Sequence, residues 1–289
     1  MKKQLVPYFF LLPALVLFAL FILYPLVFNL VYSAYTIGAT LREWNFVGIA
    51  NYQEIFDDFV FWRSLRNNFL FLAGVIVFET SLALGIAVLL DKSFRGRSFF
   101  RTIFFLPYIV SWVVMGLIFV RIYDPYIGFL NLFLKNIGLK SLTRHWLASP
   151  QTALPSLTAV FIWKMGGLAM LIFLAGLQGI PSQLKEAAEI DGSSKTGIFF
   201  HITLPLLRPI IAVVVLLLTI YSFRIFPLVY TTTRGGPHYA TEVPVIYLYR
   251  LAFQFYRFGE ACAVTVVVVF ILIGFAALRG LVSGQIQYE

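Results

Sequence analysis

The chain alternates long apolar runs with shorter mixed segments. Apolar stretches fall at about residues 5–32, 69–90, 102–120, 154–178, 206–228 and 261–283. Each is near the roughly 20 residues that a helix needs to cross the hydrocarbon core of a bilayer. In lipid a helix satisfies its own backbone polar groups, which most other backbone conformations cannot do. The pattern therefore predicts an all-α, polytopic membrane protein with about six transmembrane helices. An even number of crossings puts both termini on one side. The first run follows Lys2 and Lys3, as a signal peptide's would, but it continues to Tyr32 with no small-residue cleavage site after a short apolar stretch. It reads as a retained first helix.

The connections are alternately short and long. Residues 91–101 hold four basic residues in eleven, Lys92, Arg95, Arg97 and Arg101. Because cationic side chains near helix ends resist translocation, this segment is expected in the cytoplasm, together with residues 179–205 and both termini. On the other side, residues 46–68 place Tyr52, Phe56, Phe59, Phe61 and Trp62 among Asp57, Asp58, Arg63 and Arg66, as a helix lying on the membrane surface would. The segment from Tyr230 to Arg257 mixes Gly235, Gly236 and Pro237 with aromatics and is expected to turn back toward the membrane.

Composition fits this picture. Hydrophobic residues make up 60% of the 289 and charged residues only 12%, against about a quarter charged in a soluble domain. The net charge of +9 is scattered singly and in short clusters between apolar runs, which points to membrane topology and away from nucleic acid. The single cysteine, Cys262, excludes an internal disulfide and a cysteine metal cluster. No glycine-rich phosphate loop ending in Gly-Lys-Ser/Thr is present, nor His-Glu-x-x-His, nor Gly-x-Ser-x-Gly, and His145, His201 and His238 are dispersed. The chain is accordingly expected to hold no cofactor or metal and to carry no catalysis.

Glu79, Lys164 and Arg224 are the clear ionisable residues inside apolar runs. A charge at the bilayer centre costs at least about 2.5 kcal/mol, so these side chains are expected to face the bundle interior or a wet cavity. The alternative is that Lys164 and Arg224 reach to an interface and Glu79 pairs within the bundle.

The segment from Leu177 to Pro209 is long for an inner loop and unusually structured. Ser182 suits a helix N-cap, Lys185 to Glu189 are good helix formers, and Gly192 supplies a stop. A second short helix can begin at Ser193 or Ser194 and run through Phe199 and Phe200, with Leu204, Pro205 and Pro209 setting the entry of the fifth helix. The result is a helix-turn-helix elbow whose first helix has an apolar side, able to lie in a groove of a partner protein.

Glu186-Ala187-Ala188, three residues, Gly192, nine residues and Ile202-x-Leu204-Pro205 resemble the EAA loop of ABC importer permeases. The resemblance implies a type I ABC importer permease fold. It also implies that Glu186, Ala187, Ala188, Asp191, Gly192, Leu204 and Pro205 couple the chain to a separate ATPase. Phe46 to Tyr52, Phe61 to Asn67, Ala175 to Pro181, Thr233 to Pro237 with Thr241, and Tyr249 to Phe253 extend it. These segments are similar to carbohydrate permeases of the maltose and glycerol-3-phosphate type, in particular to the first of two paired permease subunits. Arg234 stands where a glycine is usual, and Thr196 where tryptophan often is.

The resemblance further implies an importer for a sugar, an oligosaccharide or glucoside, or a sugar-like solute, in the cell membrane. It would be built from this chain, a second homologous permease, two ATPase subunits that bind ATP and Mg, and an extracytoplasmic solute-binding protein. Trp163, Lys164, Tyr221, Ser222 and Arg224 are its expected pathway residues. Residues 1–63 would form the first helix and an outer segment, and 64–284 the core with the coupling loop 179–205. The competing readings are an ion-coupled secondary transporter working alone, which should show several ionisable groups in the membrane, and a membrane-embedded transferase, which should cluster acids or histidines at one face.

Overall fold

The computed structural model describes residues 2–38 and 43–283. Four helices are long and apolar enough to cross a membrane: Phe10–Tyr32, Phe59–Asp91, Pro150–Gln178 and Phe258–Ala277. Two bent pairs complete the set: Arg97–Ile109 with Trp112–Ile122, bent by 97°, and Lys195–Leu206 with Arg208–Phe223, bent by 64°. Counting each pair as one crossing gives six.

The departures from the sequence pattern are local. The second spanning helix starts at Phe59, ten residues before its apolar run, because Asp58 turns extended and its carboxylate accepts the Val60 N–H at 2.7 Å. Residues 46–68 are therefore not one surface helix. Ala50–Asp57 is separate, and the rest is the start of the spanning helix. The third run breaks in the middle, and the fifth ends at Phe223, before a short helix Phe226–Thr232. A small antiparallel hairpin, Tyr35–Ile37 with Trp44–Phe46, is the only sheet among the described residues.

Two compact units divide the chain. In the first, Met1–Trp62 with Tyr247–Gly274, the buried Asn51 amide donates to the carbonyls of Ser33 at 2.8 Å and Tyr35 at 3.0 Å. Gly259 allows the same turn to approach, since a Cβ there would lie 2.0 Å from the Tyr35 carbonyl oxygen. Arg257 pairs with Glu54 at 2.6 Å and with Glu260, while the Tyr247 hydroxyl donates to Asp58 at 2.7 Å. The Phe10–Tyr32 helix of this unit keeps its apolar side chains exposed, as a lipid-facing or partner-facing helix must.

In the second unit, Arg63–Ile246 with Phe275–Glu289, the core is Phe71, Val75, Leu157, Phe161, Met165 and Phe173, with Leu218 and Leu228 beside them. Small residues let backbones meet where apolar burial alone would not hold helices together in lipid. A Cβ on Gly167 would lie 2.2 Å from the Phe104 carbonyl oxygen and 2.6 Å from the Phe105 Cα. One on Gly116 would lie 2.0 Å from Thr231 Oγ1.

The 97° bend has an identifiable cause and an identifiable support. Pro107 sits in the last turn before it, and Val110 and Ser111 are extended, so carbonyls at the helix end lose their helical partners. Lys164, 3% exposed on the Pro150–Gln178 helix, fills that place. Its ammonium donates to the carbonyls of Tyr108 at 2.8 Å, Pro107 at 3.4 Å and Val110, and lies 4.8 Å from the centre of the Trp112 ring. Three carbonyl dipoles and an aromatic face together stabilise a cation that hydrocarbon would reject.

Two substitutions probe these contacts. Gly167→Ala should destabilise the folded protein by about 1–3 kcal/mol through backbone overpacking, whereas Gly166→Ala, whose Cβ meets nothing within 4 Å, should not. Equal thermal melting of the two variants in detergent would refute the close-approach account. Lys164→Met leaves the bend carbonyls without their donor, which costs about 1–3 kcal/mol. It should lower the melting temperature, and an unchanged one would mean that the bend does not depend on the ammonium.

Candidate functional site

The elbow after the Pro150–Gln178 helix is built almost as its residues suggest. Ser182–Ile190 is helical, with Pro181 rather than Ser182 at the cap position, so Ser182 opens the helix without capping it. The C-terminus closes as a Schellman motif: Ser193 N–H donates to Ala188 O at 2.9 Å and Gly192 N–H to Glu189 O at 3.1 Å. Gly192 takes φ +81°, a left-handed conformation costly for a residue with a Cβ. Ser194 then caps the next helix, its hydroxyl accepting the Gly197 N–H at 3.1 Å. That helix passes through a wide π-type turn, Phe199–Thr203, to Leu204–Leu206, and breaks at Leu207 before Arg208–Phe223.

The burial of the elbow divides its residues into two roles. Ala188 and Ile198 are buried, one on each of the two short helices of the elbow. Glu186, Ala187, Asp191 and Gly192 are turned outward to differing degrees, Leu184 is exposed, and Ile190 is 87% exposed. An isoleucine so placed beside carboxylates leaves an apolar side chain open on the outer face of the helix. Leu204 and Pro205 are half-buried at the second turn, away from that face in sequence and closer to the membrane helix. Lys185 reaches Asp91, at the end of the Phe59–Asp91 helix, at 3.9 Å. This joins residues 91–101 to the elbow, as two segments on the same side of the membrane can be joined.

The five residues expected along a pathway do not form one cluster. Lys164 reaches Tyr108, whose carbonyl receives its ammonium at 2.8 Å, and Tyr221 is half-buried against the core. Ser222 is fully buried, and its hydroxyl is without a hydrogen-bond partner. Trp163, one residue from Lys164, points elsewhere. It is half-exposed, stands edge-on to Phe119 at 5.6 Å and lines a cavity of about 460 Å³ with Glu79, Ile103, Pro107 and Val110. Arg224 is exposed at the end of the Arg208–Phe223 helix. Glu79, expected to pair within the bundle or to face a pathway, is wholly buried in a π-type turn with both carboxyl oxygens unpartnered.

Tyr108 is missed by sequence reasoning, although Pro107 inside an apolar run signals that the helix breaks beside it. The Thr233–Pro237 loop shows why Arg234 is a departure. It adopts φ +53°, where glycine is at ease, and its guanidinium lies 5.8 Å from the centre of the Tyr230 ring. Asn67 fastens the same loop to its helix, donating to the carbonyls of Tyr239 at 2.8 Å and Glu242 at 2.9 Å.

Comparison with known proteins agrees with this architecture. The family described as binding-protein-dependent transport system inner membrane component matches residues 80–284. The chain is 39% identical over 280 residues, 96% of each chain, to the probable ABC transporter permease protein YurN of Bacillus subtilis. It is 35% identical over 252 residues, 83% of this chain and 71% of the other, to the diacetylchitobiose uptake system permease protein NgcF of Streptomyces coelicolor. In a solved bacterial ABC transporter involved in import of the acidic polysaccharide alginate, one chain shares the fold. The TM-score is 0.85 over 99% of this chain and 98% of that one, at 23% identity. The apolar helices, the elbow and these matches converge: the chain belongs to the binding-protein-dependent transport system inner membrane component family, and is a multi-pass membrane permease of ABC type.

Proposed function

We propose that this permease imports a saccharide and is driven through its elbow by a separate ATPase. The elbow carries the reading. Its first helix presents Ile190, Leu184 and the Glu186 carboxylate on an outward face, while Gly192 and the Ser194 cap fix the turn that follows the helix. A short rigid helix with an apolar centre and an acidic flank fits a groove on a partner. Motion imposed there reaches the membrane by two routes, the half-buried Leu204 and Pro205 leading into Arg208–Phe223, and Lys185 on Asp91 of Phe59–Asp91.

The partners in this reading are a second homologous permease, two ATPase subunits that bind ATP and Mg, and an extracytoplasmic solute-binding protein. The elbow and both termini face the cytoplasm. A saccharide is supported by the relative named for diacetylchitobiose uptake and by the carbohydrate-permease resemblance of the outer segments. The half-buried Tyr221 and the exposed Trp163 ring are the side chains of the expected set open to a solute, while Ser222 is buried and Lys164 holds the neighbouring bend in place.

The chain, tagged and extracted in mild detergent, should bring down a second permease in equal amount and an ATPase in about twice that amount, and ATP should drive saccharide uptake in vesicles. Gly192→Trp forces a left-handed conformation costing about 1–2 kcal/mol and projects an indole beside the docking face. Glu186→Lys reverses a charge on that face. Both should abolish uptake with the chain still in the membrane at normal level. Normal uptake by Gly192→Trp, or solute uptake by the chain alone without ATP, would overturn the proposal.

A further inference from the structure

A cavity of about 880 Å³ in the second unit is a groove along the Phe59–Asp91 and Pro150–Gln178 helices. Arg63, Arg66, Leu70, Gly74, Phe78 and Leu82 line it from the first helix, spaced by three or four residues, so one stripe of that helix forms a wall. The floor is tight, since a Cβ on Gly74 would lie 3.2 Å from Thr158 Cγ2.

Polarity along the groove is segregated. Arg63, Arg66, Asn67 and Gln151 sit at one end, and beyond them the walls are apolar except for Thr158, through Leu154 and Ile162 to the half-exposed ring of Trp163. Among the described residues neither arginine has an acidic partner, and the Arg63 Nε is buried without a hydrogen bond. Arg66 precedes the apolar run that begins at Phe69 by one helical turn, which places both cations at the level of lipid headgroups. From Arg66 to Leu82 the helix rises about 24 Å at 1.5 Å per residue, more than one leaflet's share of the ~30 Å hydrocarbon core.

We propose that this groove binds an anionic phospholipid of the surrounding bilayer. Its phosphate is held by Arg63 and Arg66, and an acyl chain lies along Leu70, Phe78 and Ile162 toward Trp163. A saccharide would find almost no hydrogen-bonding groups over most of the groove, whereas an amphiphile with one anionic end matches both parts. A helix of a partner subunit would have to bring its own acid to the two guanidiniums. The inference does not rest on the substrate or on the coupling reading, because it concerns only these two helices and the lipid around them.

The test uses the full chain extracted in mild detergent with the subunits that accompany it, exposed to phosphatidylglycerol or phosphatidylcholine and examined by native mass spectrometry. Wild type should retain phosphatidylglycerol over phosphatidylcholine. The Arg63→Gln, Arg66→Gln double variant should lose that preference by roughly tenfold, the scale of one charge-assisted contact. Ala159→Phe, which fills the apolar wall and leaves both arginines in place, should reduce retention of either lipid. A photoreactive residue at position 159, activated in the native membrane, should crosslink to phospholipid. Equal retention of the two lipids by wild type and the double variant, or a crosslink at 159 to a protein segment, would overturn the proposal.

Discussion

Carbonyls released where a membrane helix breaks have no water to turn to, and much of the second unit is arranged around that constraint. The Arg97–Ile109 helix ends where Val110 and Ser111 turn extended, and its freed oxygens would be unsatisfied in an apolar layer. One ammonium from a neighbouring helix meets three of them. The lysine and the bend stabilise each other, because neither a buried cation nor a row of bare carbonyls is tolerable alone. The bend and the Pro150–Gln178 helix are thereby joined by one set of polar contacts inside an apolar core.

The elbow is built on the opposite principle. Its backbone is over-determined, with a Schellman closure followed at once by a serine cap, while its side chains are left facing out. Rigidity of the turn and exposure of Ile190 belong together. In the proposed coupling role, the elbow would have to keep its own shape while leaving its outer face open to a partner.

Most of the architecture was legible because lipid imposes a length on apolar runs, and the elbow was legible because glycine, serine and proline mark turns with identifiable chemistry. Gly192 and Ser194 stand where their residue types predict. The misses have physical reasons. Phe59 to Asn68 is amphipathic enough to lie on a surface, yet Asp58 turns the chain so that these residues continue into the spanning helix. That Lys164 meets a carbonyl cluster is invisible to hydropathy. That cluster depends on a break more than fifty residues away in sequence. The pairing of Asp91 with Lys185 is equally invisible to local patterns. Ser182 lost its capping place to Pro181 because a proline already fixes the φ that the cap position needs.

The contact at Gly167 has a mechanical consequence. Where a glycine meets the backbone of Phe104 and Phe105, no rotamer can move aside, so the two helices cannot slide along each other at that point without separating. They can still tilt about it. Gly167 thus fixes the register of the two helices at that level, and any adjustment between them has to be a tilt rather than a slide.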